Sequence, residues 1–272
     1  MLQVFWAEDG GLPANDRGLA YGDGLFETIL MEGAQGTLVA QHLDRLVRDA
    51  NKLGIPVSHA QVQHAYARAA THYGQSREST VWVLKLLLTR GGGGRGYRPD
   101  PGMRPNLLLS ANTAPPRVPT KGVRADYSSI PLTVNPLFAG IKSLNRLEQV
   151  MAARELNGDV FEVLQSNPAG HLVEGTRTNL LALIGDRWIT PPGDSLAVAG
   201  VMRRWVLDRL HADGETVVER PLLRDDVEGA DCQGLYLLNS VLGVVGVRNL
   251  NGRDLPVDNG LATICDPLQT LE

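Results

Sequence analysis

One lysine in this chain stands where an amine could act as a nucleophile. Lys142 lies in AGIKSLNRLEQV, after a stretch with Pro131, Pro136 and TVNPLFAG that resists helix and before a strongly helical run. It is therefore expected to end an extended segment, with a helix over 144–156. Walled off from water by Ile141, Leu144 and Leu147, such an amine would bind its proton less tightly, as imine formation requires. A second group is the glycine-rich RGGGGRGY, where Arg90, Arg95 and Arg98 around Tyr97 offer carboxylate donors on a backbone that a ligand can approach closely. A third is Gly200, opening a helix whose first amides, at Val201 and Met202, suit an anion. Each also has a plain structural reading: a surface lysine beside a helix, a flexible hairpin connection, and one of many helices that follow glycine. Arg45 and Glu174, on composition alone, are a solvated helix arginine and an exposed turn glutamate.

The elements that must position these residues follow from periodicity and punctuation. Strands are expected at residues 2–6, 25–31, 37–40, 106–111 and 123–130, and STVWVLKLLLTRG reads as a long buried strand. NDRG at 15–18 reads as a turn. QHLDRLVRDANKLGIP places Leu43, Leu46, Val47, Ala50 and Leu53 on one helical face ended by Gly54 and Pro56, and a second helix is expected over 58–73. After the lysine helix come strands in DVFEVLQS and HLVEGTRTNLLALIGDRWITP, the helix from Gly200, a strand pair in LYLLNSVLGVVGVRNLNG, and a terminal helix in VDNGLATICDPLQTLE. The connector 113–121 holds Pro115, Pro116 and Pro119, which makes it the expected boundary between a smaller α/β domain, 1–112, and a larger one, 122–272, carrying the lysine.

The string IKSLNRLEQV resembles the lysine segment of the fold-type IV pyridoxal-phosphate enzymes, the family of branched-chain aminotransferases, D-amino-acid aminotransferases and aminodeoxychorismate lyases. Together with RGGGGRGY, in which Arg95-Gly96-Tyr97 stands where D-amino-acid aminotransferases tend to have Arg-x-His, it is most similar to the lyase branch. The resemblance runs nearly end to end and implies an α/β (α+β) fold of two domains with the active site between them. It implies pyridoxal 5'-phosphate as cofactor, held by Lys142 as an imine. Arg45, in an H-x-x-R-L pattern, would bind the phosphate, and Glu174 would pair with the pyridine nitrogen. Asn179 would lie on a strand lining the same pocket, and Val201, Met202 and Ser240 would supply further phosphate contacts. Phe26 would face the substrate from the segment after Gly22-Asp23-Gly24, without the hydroxyl that a tyrosine would offer. Arg95 and Tyr97 would meet the carboxylates of a small dicarboxylate substrate. The implied reaction converts 4-amino-4-deoxychorismate to 4-aminobenzoate and pyruvate, with an aminotransferase of the same fold, or a non-catalytic binding protein that kept it, as alternatives. The implied assembly is a homodimer.

Composition excludes several other classes. The chain has 272 residues, 43% of them hydrophobic and 21% charged, which suits a soluble globular protein of one large or two small domains. A formal charge of −4 argues against a general nucleic-acid binder. Cys232 and Cys265 lack metal-ligand spacing and form no disulfide framework, so reduced thiols and a cytoplasmic location are expected. The opening MLQVFWAEDGGLPANDRG has acids and an arginine where an export signal needs an apolar core, and the apolar stretch 81–88 is too short to cross a bilayer as a helix. The six histidines are scattered, and no P-loop pattern occurs.

Overall fold

The computed structural model describes residues 1–75, 80–93 and 96–272. It divides into two compact units: Met1–Ala114 with Lys142–Asn145 and Pro267–Glu272, and Pro115–Ile141 with Arg146–Asp266.

Unit 1 contains β1 (Gln3–Trp6), α1 (Arg17–Tyr21), β2 (Gly24–Glu32), β3 (Gln35–Gly36), α2 (Val39–Leu53), α3 (His59–Gly74), β4 (Val81–Thr89) and β5 (Asn106–Thr113). Its sheet runs β1-β5-β4-β2-β3. β4 is central, antiparallel to β2 from Val81 to Thr89 and to β5 from Trp82 to Thr89. A strand with neighbours on both sides cannot alternate with solvent, which is why VWVLKLLLT is apolar nearly throughout. Against the sheet α2 lays Leu43, Leu46 and Ala50, all buried, and stops at Gly54, whose φ of 65° gives the left-handed turn that glycine adopts without strain. α3 opens on a capping box between Ser58 and Gln61.

Several sequence expectations change here. The NDRG turn is the start of a short helix, α1, with the Asp16 carboxylate accepting from Gly18 N at its N-terminus. No strand spans 37–40, because Leu38 takes a left-handed backbone (φ 51°) and α2 begins at Val39. The terminal segment is not one helix: a short helix at Gly260–Ile264 is followed by a 3₁₀ turn. Glu272 N and Gly36 O then bond at 2.9 Å, so the last residues cover the β3 edge of the sheet.

Unit 2 contains β6 (Val123–Tyr127), α4 (Leu147–Ala153), β7 (Val160–Ser166), β8 (Leu172–Gly175), β9 (Asn179–Ile184), β10 (Arg187–Thr190), α5 (Val201–Ala212), β11 (Val217–Glu219), α6 (Arg224–Glu228), β12 (Cys232–Asn239), β13 (Gly243–Leu250), β14 (Arg253–Asp254) and α7 (Gly260–Ile264). The strand path is β11-β10-β9-β12-β13-β6-β7-β8, and β8 pairs again with β9. That second pairing closes β9-β12-β13-β6-β7-β8 into a ring, and its register consists of Glu174 opposite Asn179. Leu164, Leu180, Leu235, Leu237 and Val247 form the core of this unit. Both cysteines are buried and free.

The helix expected over 144–156 is shorter, Leu147–Ala153. Residues 142–145 are held by unit 1: Leu144 N donates to Gly24 O at 3.0 Å, Ser143 bridges Leu25, and Asn145 Nδ2 donates to Gly22 O at 3.1 Å. Those backbone groups cannot also start a helix. The lysine segment thus groups with the N-terminal residues, whereas the sequence suggested a continuous domain from 122 onward. The break at Ala114/Pro115 falls inside the proline-rich connector.

Candidate active site

In unit 1 the site is built on β2 and α2. Lys142 O accepts from Phe26 N at 3.0 Å, and the half-buried side chain brings Nζ to 4.2 Å from the centre of the Phe26 ring. An ammonium over a ring face is attracted by the ring quadrupole, so the Phe26 ring is one of the groups that hold the amine. Leu147, expected to be buried beside the amine, is 74% exposed on α4. Ile141 is buried.

Arg45 is buried, not solvated. Its Nε donates to Glu27 Oε1 at 2.7 Å and its Nη2 to Glu27 Oε2 at 2.6 Å, and His42 Nδ1 stands 2.7 Å from Glu27 Oε2. Burial by itself would raise the Glu27 carboxyl, but the charge of Arg45 and the bonds from both partners outweigh it and hold the group at about 2. Burial pushes the His42 proton affinity down. In its neutral form the imidazole carries its proton on Nδ1, since the ionised carboxylate only accepts, and Nε2 is then an acceptor. That Nε2 is buried with no hydrogen-bond partner among the described residues. One turn after Arg45, buried Asp49 accepts weakly from Lys142 N at 3.4 Å and from Arg48 Nη2 at 2.9 Å. Burial raises its carboxyl, and Arg48 offsets this only in part.

Sequence reasoning missed Glu27, His42 and Asp49, although a signal for each existed. Glu27 shares the strand face of Leu25 and Ile29, so the period of two puts a carboxylate among buried apolar groups. His42, Arg45 and Asp49 are three and four residues apart and make a second, polar stripe on α2.

The glycine-rich loop differs from its sequence reading. Arg90 is not a ligand donor: it is committed to Asp23 through Nε at 2.8 Å, to Leu53 O at 2.7 Å and to Gly54 O at 2.8 Å. Arg17, which the sequence did not single out, donates to Gly96 O at 3.0 Å and Tyr97 O at 2.6 Å while pairing with Asp23. Tyr97 is 84% exposed, its ring against Tyr21. Arg95 lies outside the described residues.

In unit 2 Glu174 and Asn179 are both buried, at the pairing that closes the strand ring. Glu174 Oε2 accepts from Val198 N at 3.1 Å. The turn between them is tied down by Glu162, a fully buried carboxylate that accepts from Thr176 N at 3.0 Å, Thr176 Oγ1 at 2.7 Å and Thr178 Oγ1 at 3.0 Å. Next to Ser240, Asn239 donates to Arg177 O at 2.7 Å and fixes the β12–β13 turn to the same place. α5 opens at Gly200 with no side-chain cap, and its first residues Val201 and Met202 are buried. Uncapped amides at the start of a helix favour an anion. Taken separately, the amine of unit 1, and the buried carboxylate and uncapped helix start behind glycine of unit 2, are each of a chemistry that suits a phosphorylated pyridine aldehyde. Among the described residues no group of three His, Cys, Asp or Glu could hold a metal ion, and no helix is long and apolar enough to cross a membrane.

The chain is similar to an aminodeoxychorismate lyase of Vibrio harveyi, 31% identical over 273 residues with 98% of each chain covered. It is similar to a putative branched-chain-amino-acid aminotransferase of Methanocaldococcus jannaschii, 30% identical over 249 residues, covering 90% of this chain and 85% of the relative. Among solved structures, the 4-amino-4-deoxychorismate lyase from Pseudomonas aeruginosa superposes with a TM-score of 0.86 at 34% identity, covering 93% of each chain. The family described as Amino-transferase class IV matches residues 24–250. With its lysine, its buried glutamate and its uncapped helix in the matched span, the chain belongs to the class IV amino-transferase family.

Proposed function

We propose that this protein is a pyridoxal-phosphate-dependent lyase converting 4-amino-4-deoxychorismate to 4-aminobenzoate and pyruvate, a step of folate synthesis. The carrying observation is the 31% identity to a lyase over 98% of both chains, in a chain whose Lys142 amine rests on Phe26. When bound, the cofactor supplies an aldehyde that condenses with amines and a ring that accepts the electron pair left by a departing proton. Lys142 would be the residue that holds it, and its amine, when free, would be the base for the proton on the substrate carbon that bears nitrogen. Loss of enolpyruvate from the neighbouring carbon then leaves an aromatic ring, which makes the step hard to reverse. Glu174 would accept a hydrogen bond from the ring nitrogen and keep it protonated. Arg45, the amides of Val201 and Met202, and Ser240 would be the residues that hold the phosphate. Arg95 and Tyr97 meet the substrate carboxylates, and Phe26 borders the substrate.

The protein works as a homodimer in the cytoplasm. Support for the dimer comes from large apolar side chains of unit 2 left exposed, Leu137 and Phe138 before the lysine segment and Leu147, Val150 and Met151 on α4. An aminotransferase is the second reading, favoured by the 30% identity to the archaeal branched-chain relative. Incubation with aminodeoxychorismate, scored for pyruvate, against amino transfer from D-alanine or leucine separates the two. Lyase turnover together with a visible cofactor band, both lost in Lys142→Ala, is the expected result. Transfer without pyruvate release would replace the lyase reading, and absence of the band would end both.

A further inference from the structure

Glu174 and Asn179 take hold of one residue, Val198. Glu174 Oε2 accepts from its N–H at 3.1 Å, and Asn179 Nδ2 donates to its carbonyl at 2.9 Å. The two side chains come from strands that meet only at this pair, the closing point of the strand ring. On its other side the same segment is fixed by Gly140, whose N donates to Leu196 O at 2.8 Å and whose O accepts from Ala199 N at 3.0 Å. Two residues after Val198, Gly200 opens α5. A Cβ on Gly200 would stand 2.0 Å from Asn179 Oδ1, so the asparagine amide fills the space a side chain would need. Both ends of that amide are thus used on the backbone that enters the helix.

We infer that Asn179 is a positioning residue: through Val198 and Gly200 it sets the place of the first α5 amides, and it ties their height to the strand pair that carries Glu174. The proposal rests on the reading of this protein as a pyridoxal-phosphate enzyme and assigns Asn179 no contact with the cofactor. Chemistry at the position favours asparagine. Aspartate has the same shape but would set a carboxylate against the Val198 carbonyl, and alanine would leave that half-buried carbonyl without its donor.

The test compares the affinity of the apoprotein for pyridoxal phosphate and for pyridoxal, which lacks the phosphate, in wild type, Asn179→Ala and Asn179→Asp. Both variants are expected to bind pyridoxal phosphate about tenfold more weakly and pyridoxal as wild type does, so pyridoxal also reports that the variant is folded. A second arm uses Gly200→Ala. Its melting-temperature loss is expected to be large in wild type and smaller in the Asn179→Ala background, where the colliding amide is gone. Equal weakening for both ligands, or a Gly200→Ala loss independent of residue 179, would overturn the proposal. Failure of the wild type to bind either ligand would instead overturn the enzyme reading, and this inference with it.

Discussion

Glu27 receives the Arg45 guanidinium in a two-point pair, Oε1 from Nε at 2.7 Å and Oε2 from Nη2 at 2.6 Å, with both side chains buried. Holding the carboxyl at about 2, below its ordinary 4.5, makes the pair a pH-dependent part of stability. A depressed carboxyl pKa stabilises the fold above the unfolded value, and that contribution is lost as pH falls from about 4.5 to about 2. Its size is on the order of 3 kcal/mol. Urea unfolding of the apoprotein at pH 6 and pH 3 should show this acid loss in wild type and a shallower one in Glu27→Gln/Arg45→Met. Equal slopes would show that the pair contributes nothing on acidification.

Arg45→Ala is expected to do two things that must be read separately. It removes a proposed phosphate donor, and it leaves Glu27 as a buried charge without its guanidinium, which costs roughly 3–5 kcal/mol. The apoprotein should therefore melt below wild type before any cofactor is added, and Arg45→Lys should recover part of that loss while still retaining cofactor poorly. Wild-type cofactor occupancy in Arg45→Lys would take Arg45 out of the phosphate site.

Glu174→Gln should lower kcat with little change in KM. The amide oxygen can keep the bond from Val198 N, and in the proposed site the NH2 would then meet the ring nitrogen without being able to hold a proton on it. A loss of about hundredfold, roughly 3 kcal/mol, is the scale for one charged hydrogen bond in a closed site. Because aromatisation helps the lyase reaction, residual transamination should fall further. If both activities drop equally, the ring's electron uptake alone carries the barrier.

Sedimentation should find a dimer whose association weakens in Leu147→Glu/Val150→Glu, since both side chains are exposed on one face of α4. A fully active monomer at assay concentration contradicts the assembly.

Much of the fold was legible because period and punctuation act locally. The apolar face of α2, the Gly54 stop, the β12–β13 pair and the Gly200 start need no distant partner to be read. What failed depends on contacts far along the chain. Residues 144–146 look helical, yet Leu144 N is taken by Gly24. Arg90 looks like a ligand donor in a glycine-rich loop until Asp23, Leu53 and Gly54 use its donors. The roles proposed for Lys142 and Glu174 rest on resemblance, because a lone lysine and a lone glutamate have no period.

The two buried thiols have a use beyond packing. Burial pushes Cys232 up and Cys265 up to about 11, so neither offers a thiolate to an alkylating reagent while the fold is closed. Both belong to unit 2, and unit 1 has no cysteine. Alkylation followed over time is thus a clock for the opening of unit 2 alone. Cofactor that slows this clock does so by binding to the strand ring and α5, whereas stabilisation confined to the Lys142 segment leaves it running unchanged.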